Sequence, residues 1–311
     1  MKKLWILLLL LFPIQVLAYS NHLIVTGESI GIEIHSNGVY VIDHYDHTNI
    51  HLKKGDQILE INNQVVNSVS DIKSIVKKEG TYNIKIKRND QIKTNHLTVY
   101  KKNKELQTGL YIKDEVNGIG TLSYIDPETK VFASLGHEVL ESSSNTVFDL
   151  KEGTLYEVVE QEREKNNNGR IGEIKANFTS HKLGTIYKNT QNGIYGIYQD
   201  ELTNTNTIEV GTKEDVALGN AEIRINTNNN YQIKILDIDQ NDPIKNIYFK
   251  VTDENLLDTT GGIIQGMSGT PIIQNNKIIG VINYVVVNNP QTGYGIFIEN
   301  MLEEGDKLLE S

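Results

Sequence analysis

Short runs of β-branched and aromatic residues, cut by turn signals at close intervals, govern what this chain can fold into. "GRIGEIKANF", "GTIYKNTQNGIYGIY", "AEIRINTNNNYQIKILDI" and "PIKNIYFKVT" follow one another with Asn, Asp, Gly and Pro near the breaks. Runs of this kind read as strands. No long amphipathic helix intervenes before the C-terminal "IENMLEEGDKLLE". Strands without covering helices bury themselves by closing or stacking sheets, so a mainly β fold, barrel or sandwich, is expected. At 311 residues the chain can build two cores. It has no cysteine, which removes disulfides, thiolate metal sites and a cysteine nucleophile together.

The first residues, "MKKLWILLLLLFPIQVLAYS", carry the pattern of an export signal. Lys2 and Lys3 precede an apolar run from Leu4 to Phe12, and Val16-Leu17-Ala18 supplies a small-residue cleavage pattern. The run falls short of the roughly 20 residues that span a bilayer comfortably. Residues 1–18 are expected to act as a signal peptide or signal anchor, with the rest exported across the cytoplasmic membrane. Charge then divides the chain. Lys53 to Lys104 holds 12 Lys/Arg against 5 Asp/Glu, whereas the part from Glu105 onward holds 16 against 31. The basic stretch lacks the aromatic interleaving of a nucleic-acid platform, so no nucleic-acid partner is expected.

Between Gly27 and Tyr100, alternating strands at Ile30–Ile34 and Val39–Ile42 flank a turn at Asn37-Gly38. "KKGDQILEINNQVV" gives a further strand and turn, Ser70 is placed to cap a short helix, and Ile72, Ile75 and Val76 fall on one helical face. This order resembles a PDZ domain, a small β-barrel with a short helix, over residues 25–101. "SIGIEI" occupies the place of the carboxylate-binding loop. The resemblance implies that main-chain N–H groups around Ile30, Gly31 and Ile32 hold a peptide C-terminus. His44, His47 and His51 cluster nearby, but in a loop and strand context without an acidic partner, so no metal is expected.

Chemistry concentrates in "TGGIIQGMSGTPIIQ". Ser268 sits between Gly266 and Gly269, where a tight turn would bare its oxygen and turn the N–H groups of Gly266 and Ser268 the same way, as an oxyanion hole requires. A serine nucleophile needs a base. His137, after a glycine at a strand end in "FASLGHEVL", has the better setting of the two histidines in this half; His181 lies in the polar "TSHKLG". The succession of strands after Ser268 resembles the C-terminal barrel of chymotrypsin-like serine peptidases. "GIGTLSYIDPETKVFASLGHEV" and "VTDENLLDTTGGIIQGMSGTPIIQNNKIIGVINYVVVNNPQTGYGIFIENML", behind an exported PDZ-like module, resemble the SpoIVB peptidase family of spore-forming bacteria.

That resemblance implies a chymotrypsin-like double β-barrel over residues 105–311, with Ser268 as nucleophile and His137 as general base. It puts the acidic member 15 residues before the serine, at Asp253, with Asp258 as a competitor. It also implies an exported serine endopeptidase that makes limited, regulatory cuts in itself and in a membrane-associated partner. The setting would be forespore-to-mother-cell signalling in the intermembrane space of the sporulating cell. The alternative is a peptide-binding adaptor with a silent barrel. No cofactor is expected, since His-Glu-x-x-His, Walker and Gly-x-Gly-x-x-Gly patterns are absent. Gly262, six before the serine, would give a neutral pocket floor and disfavour strict Lys/Arg selection.

Overall fold

A computed structural model describes residues 20–141, 145–167, 169–202 and 206–310; the expected signal segment, residues 1–18, lies outside them. After β1 (His22–Val25) comes β2 (Ser29–His44), a single strand of 16 residues where the sequence suggested two and a turn. Asn37-Gly38 does not fold back. It marks instead a break in register between His35 and Tyr40, where Val39 and Tyr40 pair with Ile58 and Gln57. The outcome is set by distant partners, because both edges of Ile30 to His35 are taken by strands far along the chain.

The second half of β2 belongs to an N-terminal module with β3 (Gln57–Ile61), β4 (Gln64–Val65), α1 (Val69–Ile75), β5 (Gly80–Arg88), β6 (Gln91–Lys102) and β7 (Glu105–Gln107). Ser68, two residues before the expected cap, starts α1: its Oγ accepts from the Asp71 N–H, and the Asp71 carboxylate accepts from the Ser68 N–H. The reciprocal bonds satisfy two donors that helix geometry leaves open, which Ser70 could not do from inside the first turn. Ile72 and Val76 face Ile58, Ile61, Ile84 and Leu97 in a core of this module's own.

β8 (Leu110–Ile125) leaves the module and continues into a second body with β9 (Val131–Ser134), β10 (Leu140–Glu141), β11 (Thr146–Val147), β12 (Leu150–Arg163), β13 (Ile174–Thr190) and β14 (Gly193–Tyr198). Here the pairings β2–β8–β9–β14–β13–β12–β2 close on themselves. Closure leaves no unpaired edge in the ring. Ile30, Ile32, Ile34, Leu122, Phe132, Leu155 and Ile186 fill its interior.

A second ring follows β15 (Thr207–Val210). It uses β16 (Gly219–Arg224), β17 (Asn230–Ile238), β18 (Ile247–Val251), β19 (Pro271–Gln274), β20 (Lys277–Val285) and β21 (Thr292–Phe297), with α2 (Glu254–Thr260) before β19 and α3 (Ile298–Asp306) at the end. The order β16–β17–β18–β21–β20–β19–β16 closes it around Ile223, Ile235, Phe249, Val251, Ile272 and Ile282. β1 ties the rings together, pairing with β8 and with β15, which lies parallel to β20. Leu23, Tyr124, Tyr195, Val281, Ile296 and Met301 form the apolar layer shared by both rings.

Candidate active site

His137 is delivered by the end of β9. Leu135 and Gly136 both take left-handed backbone conformations, φ 72° and 69°, which swing the chain out of the strand. The imidazole stacks on Tyr284, with ring centroids 5.5 Å apart. Its Nδ1 lies 2.8 Å from the main-chain oxygen of Glu138. A carbonyl only accepts, so Nδ1 carries the proton and Nε2 presents its lone pair. Burial holds the His137 pKa below the ordinary imidazole value; the Glu138 carbonyl and carboxylate oppose that shift without overcoming it.

Ser268 comes from the segment between α2 and β19. Gly266 and Gly269 each adopt φ 95°. At Gly269 the conformation is also sterically enforced, since a Cβ there would strike the Thr121 carbonyl and come within 2.6 Å of the Leu135 nitrogen. Thr121, on β8, clamps the turn. Its Oγ1 donates to the Gly266 carbonyl at 2.8 Å and its N–H to the Ser268 carbonyl at 3.0 Å. Gly269 N–H donates to Ile282 and Thr270 N–H to Met267. Among the described residues, the N–H groups of Gly266 and Ser268 have no acceptor in the protein. Two unclaimed donors beside a serine oxygen suit a group that gains negative charge.

One cleft of about 480 Å³ is lined by His137, Gly266 and Ser268 together with Ile32, Val116, Ile119, Leu135, Ile263, Ile264 and Ile282. It draws the imidazole from one ring and the serine from the other. No direct hydrogen bond joins His137 to Ser268 among the described residues. Neither expected carboxylate lines this cleft. Asp253 caps α2, its Oδ1 accepting from the Leu256 N–H and its Oδ2 from the Gln232 N–H. Asp258 is exposed on α2, where its carbonyl accepts from Lys165. Glu138, which sequence reasoning passed over, does line the cleft; the signal available was its place directly after the histidine.

Two further positions differ from expectation. Ile30, Gly31 and Ile32 do not form an open carboxylate-binding loop. They lie inside β2, paired with Gly120, Ile119 and Gly118 of β8 on one edge and with Glu157, Tyr156 and Leu155 of β12 on the other. A peptide end has no free ladder to join there. Gly262 is not a pocket floor either: it is packed against the Pro290 carbonyl, outside the residues that line the cleft.

The family model for SpoIVB peptidase S55 matches residues 104–302. The chain belongs to the SpoIVB peptidase family. No curated protein matches it. Membership makes the protein a peptidase, and the matched span carries His137, Ser268 and Asp253. The SpoIVB peptidase span begins after β2, so the first ring contains a strand from outside it.

Proposed function

We propose that the protein is a SpoIVB-type serine endopeptidase with Ser268 as nucleophile, His137 as general base, and the Gly266 and Ser268 N–H groups as oxyanion hole. The observation that carries this reading is the shared cleft, with an imidazole and a serine side chain beside two main-chain donors that have no acceptor among the described residues. Nε2 takes the Ser268 proton as Oγ attacks the scissile carbonyl carbon. The carbonyl oxygen becomes an oxyanion between the two N–H groups, each such donor contributing about 3 kcal/mol in comparable sites. The imidazolium then protonates the leaving amine, and water repeats the sequence to release the acyl group.

The two closed rings are read as the paired barrels of a chymotrypsin-like enzyme, and the N-terminal module as PDZ-like without the peptide site expected at Ile30 to Ile32. Asp253 enters as the acidic member on the family resemblance alone; in that role its carboxylate would leave the α2 cap for the imidazole. The apolar N-terminus argues for export, with or without retention as an anchor. Family membership argues for limited cleavage of the protein itself and of a membrane-associated partner in forespore-to-mother-cell signalling. No cofactor or metal is invoked.

The test is labelling of the full-length protein by a fluorophosphonate probe. Wild type is expected to label, and Ser268→Ala and His137→Ala to lose at least about 100-fold in labelling rate while keeping their fold by circular dichroism. Equal labelling of Ser268→Ala would remove the nucleophile assignment. No labelling of wild type would favour the silent adaptor.

A further inference from the structure

The hairpin of β12 and β13 leaves the first ring and ends against the serine turn. Its base is part of the ring: β12 pairs with β2 as far as Glu157, and β13 pairs with β14 from Gly184 onward. Beyond that, Val158 to Arg163 run against Ile174 to Phe178 as an arm with no third strand among the described residues. A two-stranded ribbon alone is marginal in water, and much of this one is exposed, Val159 and Phe178 included. Its tip is not. Gly172 and Ile174 are buried, and Ile174 joins the core of the second ring with Ile263, Ile264 and Met267. Asn166 fastens the tip there. Its N–H donates to the Thr260 carbonyl at 2.9 Å, its Nδ2 donates to the Ile263 carbonyl at 3.1 Å, and its Oδ1 accepts from the Gly172 N–H at 2.8 Å.

The tip holds both main-chain groups of one residue. Gln265 N–H donates to the Gly172 carbonyl at 2.8 Å, and the Gln265 carbonyl accepts from the Ile174 N–H at 2.9 Å. That carbonyl shares a peptide unit with the Gly266 N–H. The unit is trans, so its C=O and N–H point in opposite directions, and fixing one aims the other. The Ile174 side chain closes the fit, since a Cβ on Gly266 would come within 3.1 Å of the Ile174 Cβ. The second donor, Ser268 N–H, shares its unit with the Met267 carbonyl, which the Thr270 N–H holds from within the turn. We infer that Ile174 is a positioning residue: its main-chain N–H, delivered by the first ring, sets the direction of the Gly266 N–H that receives the oxyanion. The inference rests on the serine-peptidase reading and on the role given there to Gly266. The first ring thus brings the imidazole and also aims one of the two donors. With the arm undocked, the Gln265–Gly266 unit loses the bond that stops it turning.

Removing that N–H is the test. Ile174 is the first residue of β13, a position where proline is tolerated, and Ile174→Pro takes away the donor while keeping an apolar side chain. Fluorophosphonate labelling of the full-length protein is followed at rising probe concentration, which gives a limiting rate and a half-saturating concentration. A misdirected oxyanion donor weakens the transition state and not the binding that precedes it. The limiting rate is expected to fall roughly 10- to 100-fold, with half-saturation and the pH midpoint of labelling unchanged. Asn166→Ala loosens the tip with Ile174 intact, and serves if the proline prevents folding. It is expected to lower the limiting rate about 3- to 10-fold and to speed hydrogen exchange at the Gln265 and Ile174 amides. Asn166→Asp, which keeps the acceptor for Gly172 N–H, is expected to recover part of both. A limiting rate unchanged in folded Ile174→Pro, or in Asn166→Ala, overturns the inference and leaves the peptidase standing. So does a loss carried by half-saturation or by a moved pH midpoint, which marks a general disturbance of the cleft. Wild type that fails to label removes the nucleophile, and this inference with it.

Discussion

At the scale of single residues, His137, the proposed base, sets the pH range expected of the site. Burial lowers its pKa from 6.5, so the neutral base persists further into acid than an exposed imidazole would. The acid limb of fluorophosphonate labelling against pH is therefore expected to have its midpoint below 6.5. A midpoint at or above 6.5 would contradict the buried, neutral imidazole. Linkage gives the sign for stability: as pH falls through 6.5 the unfolded chain takes up the proton first, so this histidine's share of stability is full above that value and declines below it. That Ser268 and His137 border one cleft agrees with the sequence, which marks each locally by glycines that release the backbone. Glu138 was not legible. Its place in the cleft depends on Asn283 and Tyr284, both remote in sequence, which line the same space only because the two rings face each other.

Among elements, β8 does the most to shape the site. Thr121 holds two carbonyls of the serine turn, those of Gly266 and Ser268, and so fixes the path of the chain on both sides of Met267. Thr121→Val keeps the shape and the main-chain bond from Thr121 but removes the hydroxyl, leaving the Gly266 carbonyl without that donor. It is expected to cost about 1 kcal/mol in urea unfolding and to slow labelling of Ser268 more than it alters overall stability. Unchanged labelling would mean the turn holds its shape without the clamp. The elements themselves were mostly readable from alternation and turn residues. β2 was the exception. Asn37-Gly38 is a strong hairpin signal, yet it is overridden because β8 and β12 supply pairing on both edges of the preceding residues, from about 80 to 125 positions away. The α1 cap shifted for a local reason, since Ser68 and not Ser70 has Asp71 three residues on.

For the whole molecule, the charge boundary near residue 104 suggested two beads on a string, and strand pairing cuts across that division. β2 begins inside the first ring and ends inside the N-terminal module, while β8 runs the opposite way beside it. Residues 104–311 expressed alone lack β1 and β2. The ring they leave open exposes Leu122, Phe132 and Leu155 to water. That fragment is expected to give no cooperative unfolding transition and no Ser268 labelling. A peptide of residues 20–44 added in trans is expected to restore both in part. A fragment that folds cooperatively by itself would show that the ring closes without β2.

β8 carries Leu110 in the module's core and Thr121 on the serine turn with no loop between them. Eleven residues of extended chain span roughly 36 Å, and an extended strand has almost no slack to give. The N-terminal module thus stands at a set reach from Ser268, measured out in covalent bonds. The two ends are joined less like a hand on a flexible wrist than like two marks on one ruler.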